Sequence, residues 1–392
     1  MKKKLIFVSE ALWIGGIETA LVNLLNRLDY DKYDVTCLIL RDCLDMADRI
    51  TPQCHLIVAD RQKPVSFSEP YSHKRMFNLM EEPQGATAFR RWIWKVLCLV
   101  LKAPEARRYA AYVRQQLGEE CFDTAIIYSD RAAETAVRAV SAEKFLMFYH
   151  HGGMRKEYHD ELGYKRSSHV IAVSEPQAEK LRAFRPEYAQ KIIAVNNLID
   201  VDGVRQKSRA PIDGDFSADR VHLVTCGRLA VEKGVDLAEE ACERLLARGV
   251  TGFHWWIVGG GPEEQKLRRS AEEKGLTPYM TFLGMQANPY PWIAQADHYI
   301  QPSHIESFGL TIEEALALNR PVLSTETDGA KAILSGSGAG MLCAISAEAI
   351  ADGVQKLLEQ PQLRKRMAAK AAEIDFEAQN DAVLERLYHE FD

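Results

Sequence analysis

The sequence predicts an α/β protein built from two doubly wound domains that face each other across a cleft. Short apolar segments alternate with helical patterns along the chain, which is typical of parallel sheets covered by helices. The alternation forms two series, separated by a stretch at 196–217 that is rich in Asp, Asn and Gly. The length of 392 residues also exceeds one typical core.

The first series predicts an N-terminal domain over residues 1–200. An apolar stripe with helical spacing, from Ile17 to Leu28, follows the first strand. The predicted strands are Leu5–Ser9, Val35–Leu40, Thr124–Tyr128, Phe145–Tyr149, Val170–Val173 and Ile192–Val195.

The second series predicts a C-terminal domain over residues 201–377. Its predicted strands are Val221–Cys226, Trp255–Val258, Met280–Leu283, His298–Gln301 and Pro321–Ser324. Ligands of doubly wound domains bind at the carboxyl ends of the strands. We therefore expect the functional residues to lie where the two domains face each other.

Composition argues against several classes of protein. Hydrophobic residues make up 47% of the chain and charged residues 27%, as in a globular protein. No run of eighteen apolar residues predicts a membrane span, and the short apolar run after MKKK does not predict a signal peptide. The eight cysteines form no C-x-x-C pair, which favours reduced thiols in a cytoplasmic protein.

The segment Ser303–Leu323 predicts an anion site between two carboxylates. Gly309 lies between an apolar strand and a helical pattern that begins at Leu310. Glu306 and Glu314 flank this point and can accept hydrogen bonds from the hydroxyls of a sugar and a ribose, although ordinary solvated glutamates are the alternative. The backbone N–H groups free to hold a diphosphate at the helix N-terminus would be those of Phe308, Gly309, Leu310 and Thr311.

A second strand-to-helix loop carries two cations. Arg228 follows the strand that ends at Cys226, and Lys233 precedes the helix that begins at Val235. A guanidinium fork and an ammonium point charge five residues apart can converge on one phosphate group. Solvated surface cations are the alternative interpretation.

Two glycines, Gly15 and Gly16, follow the first strand and open the first helix. Their backbone can approach a phosphate closely. The pattern is not the dinucleotide G-x-G-x-x-G, which argues against a nicotinamide enzyme. A plain tight turn is the alternative, and Glu18 is expected to cap or brace the loop.

Two histidines, His150 and His151, end the strand Phe145–Tyr149 and precede a pair of glycines. Neighbouring strand residues point to opposite faces, so we expect one of the two to face the cleft. A histidine with satisfied hydrogen bonds in the core is the alternative for either residue, and the sequence does not choose between them.

These motifs together resemble the family 4 retaining glycosyltransferases. The chain reads Glu306-Ser-Phe-Gly-Leu-Thr-Ile-Glu-Glu314 and continues Ala-Leu-Ala-Leu-Asn-Arg-Pro-Val322, close to the family's E-G-F-G-L-x-x-x-E-A-x-A-x-G-x-P-V. Ser307 and Asn319 stand where the family usually has glycine. Asn319 can take the left-handed conformation that a helix C-cap needs.

The resemblance covers nearly the whole chain and implies the GT-B fold, in which two Rossmann-like domains face each other. Residues 1–200 would bind the acceptor, residues 201–377 would bind the nucleotide sugar, and a helix at about 378–392 would pack back on the first domain. Gly15-Gly16-Ile-Glu18 matches the family's GG-x-E loop, which touches the donor diphosphate, and Arg228 and Lys233 match G-R-L-x-x-x-K-G.

The resemblance also implies roles for individual residues. Glu306 would meet the transferred sugar, Arg228 and Lys233 would stabilise the leaving diphosphate, and His150 or His151 would contact the sugar. The implied donor-binding residues are Gly15, Gly16, Gly259, Phe308, Gly309, Leu310, Thr311, Glu314 and Met285. No metal and no cofactor besides the donor is implied, because the D-x-D pairs at 200–202 and 213–215 fall in the linker.

The implied reaction transfers a sugar from a UDP- or GDP-type nucleotide sugar to a saccharide or lipid-linked acceptor, with retention, in surface polysaccharide synthesis. The GGIE and HHGG elements look most like bacterial capsular or teichoic enzymes. The alternatives are a nucleotide-sugar-binding protein or epimerase of the same fold, and a non-catalytic partner of another transferase. We expect no nucleic-acid partner.

One further segment, 85–102, combines four basic residues with two tryptophans and a long apolar face. It is a candidate for an interfacial helix on the anionic inner face of a membrane. A core helix of the first domain is the alternative.

Overall fold

The computed structural model describes residues 2–59, 107–154 and 161–392. Its strands form two separate parallel sheets, one for each series of strands in the sequence. The segment at 85–102, with the interfacial helix expected there, lies outside the described residues.

Within the described residues, the first sheet contains seven parallel strands in the order β3-β2-β1-β4-β5-β6-β7. Leu5 in the central strand pairs with Val35 on one side and with Thr124 on the other. The strands are β1 (Lys3–Ser9), β2 (Tyr33–Ile39), β3 (His55–Val58), β4 (Cys121–Ile127), β5 (Ser141–Tyr149), β6 (His169–Ala172) and β7 (Ile192–Ala194). All six predicted strands are present.

Helices cover both faces of this sheet, which explains why 5–8 in β1 are fully buried apolar residues without alternation. The helices of the first domain are α1 (Gly16–Arg27), α2 (107–117), α3 (Ala133–Ala139), α4 (Glu161–Arg166) and α5 (Glu175–Phe184). The edge strand β3 was not predicted. Only Val58 of its four residues is buried, so it lacks a continuous apolar run.

In the described part of the chain, the second sheet contains six parallel strands in the order β10-β9-β8-β11-β12-β13. Its strands are β8 (Val221–Cys226), β9 (Phe253–Val258), β10 (Met280–Gly284), β11 (His298–Gln301), β12 (Val322–Thr325) and β13 (Gly340–Cys343). The five predicted strands are present. The sequence analysis missed β13, a half-buried edge strand that begins with glycine.

The remaining described helices lie in the linker and in the part of the chain that follows it. They are α6 (Val201–Lys207), α7 (Val235–Ala247), α8 (Glu264–Glu273), α9 (Tyr290–Gln295), α10 (Leu310–Ala317), α11 (Asp328–Leu334), α12 (Ala347–Glu359), α13 (Pro361–Ala372) and α14 (Phe376–Phe391).

The stretch at 196–217, which the sequence analysis interprets as the linker, contains the helix α6. Asp200 caps this helix by accepting a hydrogen bond from the backbone N–H of Gly203 at 2.9 Å. Val201 and Val204 are buried in the core of the second domain. The polar composition of the stretch therefore concealed two core residues on a short capped helix.

The last helix, α14, leaves the second domain and packs on the first. Phe391 is buried, and its ring lies 6.1 Å from that of Phe7 in β1. Asn380 accepts a hydrogen bond from the backbone N–H of Ile199 and donates one to its carbonyl. Burial of a side chain such as Phe391 contributes about 1.5–3 kcal/mol, so the crossing helix helps to hold the two domains together.

The domains also meet near the carboxyl ends of their strands. The Ser174 hydroxyl at the start of α5 donates a hydrogen bond to the Ser307 carbonyl at 2.9 Å. On α5 and α11, Lys180 and Asp328 form an ion pair at 2.6 Å. These contacts fix how the loops that follow β6 and β11 face each other.

Candidate active site

The loop after β11 leads into an open helix N-terminus. Gly309 has a φ of 96° and precedes α10, a conformation that favours glycine. Within the described residues, the backbone N–H groups of 308–311 donate no hydrogen bond, and the first donation in this helix runs from Ile312 N to the Gly309 carbonyl at 2.8 Å. The four amides predicted to hold an anion therefore remain available to one.

Glu306 and Lys233 form an ion pair across two loops. The Lys233 Nζ atom lies 2.6 Å from Oε2 of Glu306, which also lies 3.4 Å from the Gln301 side-chain amide. The Glu306 side chain is only 12% exposed. The structure thus joins two residues that the sequence analysis proposed separately, and Glu306 is not an ordinary solvated glutamate.

Arg228 lies on the same loop as Lys233 but has a different partner. Its guanidinium is ion-paired with Glu232, and its side chain is 66% exposed. The two cations were expected to converge on one phosphate, whereas here each is paired with a carboxylate. The sequence analysis missed Glu232, whose backbone carbonyl also accepts the N–H groups of His304 and Ile305 and so ties the two loops together.

Glu314 is buried in α10 and accepts a hydrogen bond from the Tyr290 hydroxyl at 3.0 Å. Burial raises the pKa of Glu314 to about 7, although the Tyr290 hydrogen bond opposes this. The adjacent Glu313 is also buried, and burial together with the Glu314 charge raises its pKa to about 8. Neither carboxylate is a solvated surface group.

The glycine-rich loop after β9 packs against the Arg228 loop. Gly259 has a φ of 140°, and a Cβ atom there would lie 1.8 Å from the Gly227 carbonyl oxygen. Glycine is therefore needed at 259 for contact between two backbones, whether or not a nucleotide binds nearby. Met285, one of the predicted donor-binding residues, follows β10, and its apolar side chain is 61% exposed.

The loop after β1 places Gly15 immediately before α1. A Cβ atom at Gly15 would lie 2.6 Å from Oε2 of Glu18, whereas one at Gly16 would meet no described atom within 4 Å. Glu18 therefore folds back over the loop, in keeping with the bracing role expected for it. Burial raises the pKa of Glu18 to about 7.

The two histidines after β5 lie in different surroundings. His150 is buried between aromatic rings, and burial lowers its pKa to about 3. Its ring centroid lies 4.7 Å from that of Tyr128, and its Nε2 atom has no hydrogen-bond partner among the described residues. The Nε2 atom of His151 lies 2.9 Å from Oδ1 of Asp130, a partner that the sequence analysis missed.

The two departures from the usual motif have simple structural explanations. Asn319 has a φ of 57°, so the left-handed C-cap predicted for it is confirmed. Ser307 is not among the residues with positive φ, and its backbone carbonyl makes the contact with Ser174. A serine at 307 therefore causes no backbone strain and leaves the contact between the domains intact.

Within residues 2–59, 107–154 and 161–392, no group of three or more His, Cys, Asp or Glu side chains is placed to hold a metal ion. No helix in these ranges has both the length and the apolar character needed to cross a bilayer.

The sequence of the second domain matches a known family. Residues 210–374, which contain Arg228, Lys233, Glu306 and Glu314, match the family described as "Glycosyl transferases group 1". Residues 210–374 belong to the group 1 glycosyl transferases. This group 1 domain carries both of the loops whose ion pairs are described above.

Two relatives show how far the similarity of the group 1 domain extends. The chain is 27% identical over 237 residues to the lipopolysaccharide core biosynthesis glycosyltransferase LpsE of Rhizobium meliloti, which covers 59% of this chain and 67% of that protein. It is 35% identical over 157 residues to a GDP-mannose-dependent alpha-(1-6)-phosphatidylinositol dimannoside mannosyltransferase of Mycobacterium tuberculosis, which covers 40% of each. The chain thus spans between two fifths and two thirds of these relatives.

A solved structure extends the comparison to the whole chain. The crystal structure of Anabaena HepE in complex with UDP and glucose superposes with a TM-score of 0.69, at 17% identity, covering 98% of this chain and 99% of HepE. The GT-B fold expected from the sequence is confirmed. The group 1 domain is accordingly the second of two domains in that fold.

Proposed function

We propose that this protein is a retaining, metal-independent glycosyltransferase that moves a sugar from a nucleoside diphosphate sugar to a saccharide or lipid-linked acceptor. One observation carries the proposal. The open N-terminus of α10, the Lys233–Glu306 pair and Arg228 belong to two loops tied together by the Glu232 carbonyl. The match of residues 210–374 to the group 1 glycosyl transferases supports the same reaction class.

The donor diphosphate would bind where positive charge is concentrated. The amides of 308–311 and the α10 dipole attract its phosphate oxygens. Arg228 and Lys233 add two charges, and their present partners Glu232 and Glu306 hold them in place until a phosphate arrives. The same groups would stabilise the charge that grows on the leaving diphosphate.

In the proposed reaction, the bond between the anomeric carbon and the diphosphate oxygen breaks as the acceptor oxygen bonds to that carbon from the same face. The proton of the acceptor hydroxyl passes to the departing phosphate oxygen. Glu306 accepts a hydrogen bond from a hydroxyl of the transferred sugar, and Glu314 accepts one from the ribose.

His150 is the better candidate of the two histidines for contact with the sugar. Its buried Nε2 atom has no partner among the described residues, and a buried polar atom of this kind costs about 1–3 kcal/mol. A sugar hydroxyl would satisfy it. His151 already interacts with Asp130.

The nature of donor and acceptor is inferred from the relatives. The names of two of them specify GDP-mannose and lipopolysaccharide core, and the HepE structure contains UDP and glucose. We infer a UDP- or GDP-type donor and an acceptor that belongs to a surface glycolipid or polysaccharide. Docking on the inner face of a membrane through 85–102 is part of the proposal.

The first test is a thermal-shift screen of the full chain with UDP-glucose, UDP-N-acetylglucosamine, GDP-mannose and ADP-glucose, followed by assay of nucleoside diphosphate release with and without saccharide acceptors. We expect one donor to raise the melting temperature and release to depend on acceptor. Arg228→Ala and Lys233→Ala should nearly abolish release without unfolding the protein.

The matched controls are Arg244→Ala and Lys370→Ala, which remove exposed, ion-paired cations elsewhere in the second domain. They should leave release unchanged. Binding of a donor without acceptor-dependent release would instead support a binding protein, and full activity of Arg228→Ala or Lys233→Ala would remove that residue from the site.

A further inference from the structure

The loop after β5 and the loop after β11 come into contact at Gly152. A Cβ atom there would lie 2.4 Å from Cγ2 of Ile305, 3.3 Å from the amide nitrogen of Ser307 and 3.4 Å from the carbonyl carbon of Glu306. Gly152 is not among the glycines with positive φ, so its backbone conformation would accept a side chain. The contact with the other domain, and not the backbone conformation, therefore requires glycine at this position.

The first-domain side of this contact is fixed by hydrogen bonds. The backbone carbonyl of His151, next to Gly152, accepts a hydrogen bond from the buried side chain of Gln177 at 2.7 Å. Gln177 lies in the first turn of α5, and the cap of that helix is Ser174, which donates to the Ser307 carbonyl. The start of α5 therefore holds both the Gly152 loop and the second-domain loop that it touches.

The second-domain side is fixed as well. The backbone N–H of Ile305 donates to the Glu232 carbonyl at 3.2 Å. The backbone carbonyl of Glu306 accepts a hydrogen bond from the N–H of Gly329 at 3.0 Å. Because isoleucine is branched at Cβ, the Ile305 side chain has few alternative rotamers that would move its Cγ2 atom away. Neither loop can therefore yield easily to an added methyl group at 152.

The contact lies beside groups that the proposed reaction brings together. Gly152 lies two residues after His150, the candidate for the sugar contact in the first domain, and Ile305 immediately precedes Glu306, the candidate in the second. Phe308 of the same second-domain loop is buried in an apolar cluster made mainly of first-domain side chains. The spacing of the domains at Gly152 therefore sets the spacing between the two candidate sugar contacts.

We propose that Gly152 is a positioning residue for sugar transfer. Because it has no side chain, the two domains approach closely enough for His150 and Glu306 to contact the same sugar. The inference rests on the proposed function, since it requires a sugar between these two groups. A methyl group at 152 would push the two loops apart and leave the donor-binding groups of the second domain in place.

This arrangement predicts that turnover and nucleotide binding respond differently to Gly152→Ala. A displacement of about 1 Å between reacting groups can cost about a hundredfold in rate, so kcat for acceptor-dependent release should fall about 10- to 100-fold. The dissociation constant for UDP or GDP, whichever belongs to the donor found in the thermal-shift screen, should change less than about threefold. Most of the expected phosphate contacts, Arg228, Lys233 and the amides of 308–311, lie in the second domain.

The double variant Gly152→Ala/Ile305→Ala tests the steric cause directly. It removes the Cγ2 atom that would lie 2.4 Å from the added methyl group, and the backbone atoms at 3.3 and 3.4 Å need to shift only slightly. Ile305 is 41% exposed, so its truncation should cost little stability. The double variant should recover kcat to within about threefold of Ile305→Ala alone, whereas general damage to the loop after β5 would not be rescued.

Gly153→Ala is the matched control, because a Cβ atom at Gly153 would meet no described atom within 4 Å. It should turn over like wild type. Normal turnover of Gly152→Ala, a loss that Ile305→Ala does not rescue, an equal loss of nucleotide binding, or an unfolded Gly152→Ala variant would overturn the inference alone. Wild-type protein that binds no nucleotide and shows no acceptor-dependent release would overturn the proposed function as well.

Discussion

The two sides of the cleft differ in how far their polar groups are already paired. In the second domain, Lys233 is paired with Glu306, and Glu314 with Tyr290. In the first domain, the buried Nε2 atom of His150 and the buried Oδ2 atom of Asp130 have no hydrogen-bond partner among the described residues.

This difference indicates that the two domains contribute to substrate binding in different ways. The second domain is pre-organised around its own ion pairs, so binding a diphosphate there exchanges one set of charge partners for another. The first domain keeps buried polar atoms that a substrate would satisfy. We therefore expect substitutions in the second domain to affect catalysis most, and substitutions in the first domain to reveal which substrate groups pair with it.

The largest expected effect is that of Glu306→Gln in the second domain. It removes a carboxylate from a pre-organised pair and should lower the turnover number about 100- to 1,000-fold. Acceptor-dependent release of nucleoside diphosphate measures it. Glu373→Gln, which also removes a lysine-paired glutamate, is the control. A Glu306→Gln enzyme with normal turnover would show that the pair is structural.

A smaller effect is expected for His150→Phe on the first-domain side. Losing a hydrogen bond to the sugar should reduce turnover about tenfold to a hundredfold, whereas His151→Phe should reduce it less. Equal losses of turnover in both variants would contradict the assignment of the sugar contact to His150.

The His150→Phe substitution should also change how the stability of the protein depends on pH. Burial lowers the pKa of His150 to about 3, so the folded state binds fewer protons than the unfolded state between pH 6.5 and 3. His150 therefore makes stability fall as pH falls through that window. Urea unfolding at pH 7 and pH 4.5 should show less acid destabilisation in His150→Phe than in wild type.

Glu314→Gln should have a weaker effect, confined to donor binding. A glutamine can still accept the Tyr290 hydrogen bond but accepts the ribose hydroxyl less strongly. We expect the Michaelis constant for the donor to rise about tenfold, with the turnover number changed little. If instead only the turnover number fell, Glu314 would act on the reacting sugar and not on the ribose.

The smallest effect on activity is expected for Glu313→Gln, although its stability should change with pH. The pKa of Glu313 is raised to about 8, so the folded state binds the proton more tightly and wild-type stability falls as pH rises from about 4.5 to 8. Between pH 6 and pH 8.5, the free energy of unfolding of the variant should rise by about 2 kcal/mol relative to that of wild type. Urea unfolding at the two pH values measures this change. The same difference in stability between variant and wild type at both pH values would contradict the raised pKa of Glu313.

The two sides of the cleft also differed in how well they could be predicted. In the second domain, Arg228, Lys233, Glu306 and Glu314 form a compact motif pattern, so the loops after β8 and β11 could be located from the sequence. The sequence did not predict which of these side chains form ion pairs with each other. Lys233 interacts with Glu306, 73 positions away, and no local pattern encodes a contact at that separation.

The first domain offered less information. Gly15, Gly16 and the histidine pair mark the loops that follow β1 and β5, but the choice between His150 and His151 depends on burial, which the sequence does not reveal. Asp130 follows a different strand and meets His151 only because β4 and β5 are neighbours. The edge strands β3 and β13 were missed because short, half-exposed strands lack a continuous apolar run.

The most direct test of the central claim is a crystal structure of the protein with the nucleoside diphosphate of its donor. The proposed function predicts phosphate oxygens within about 3 Å of the amides of Gly309, Leu310 and Thr311, with Arg228 turned from Glu232 to the diphosphate. A nucleotide bound elsewhere, with the Arg228–Glu232 and Lys233–Glu306 pairs unchanged, would contradict the assignment of this site.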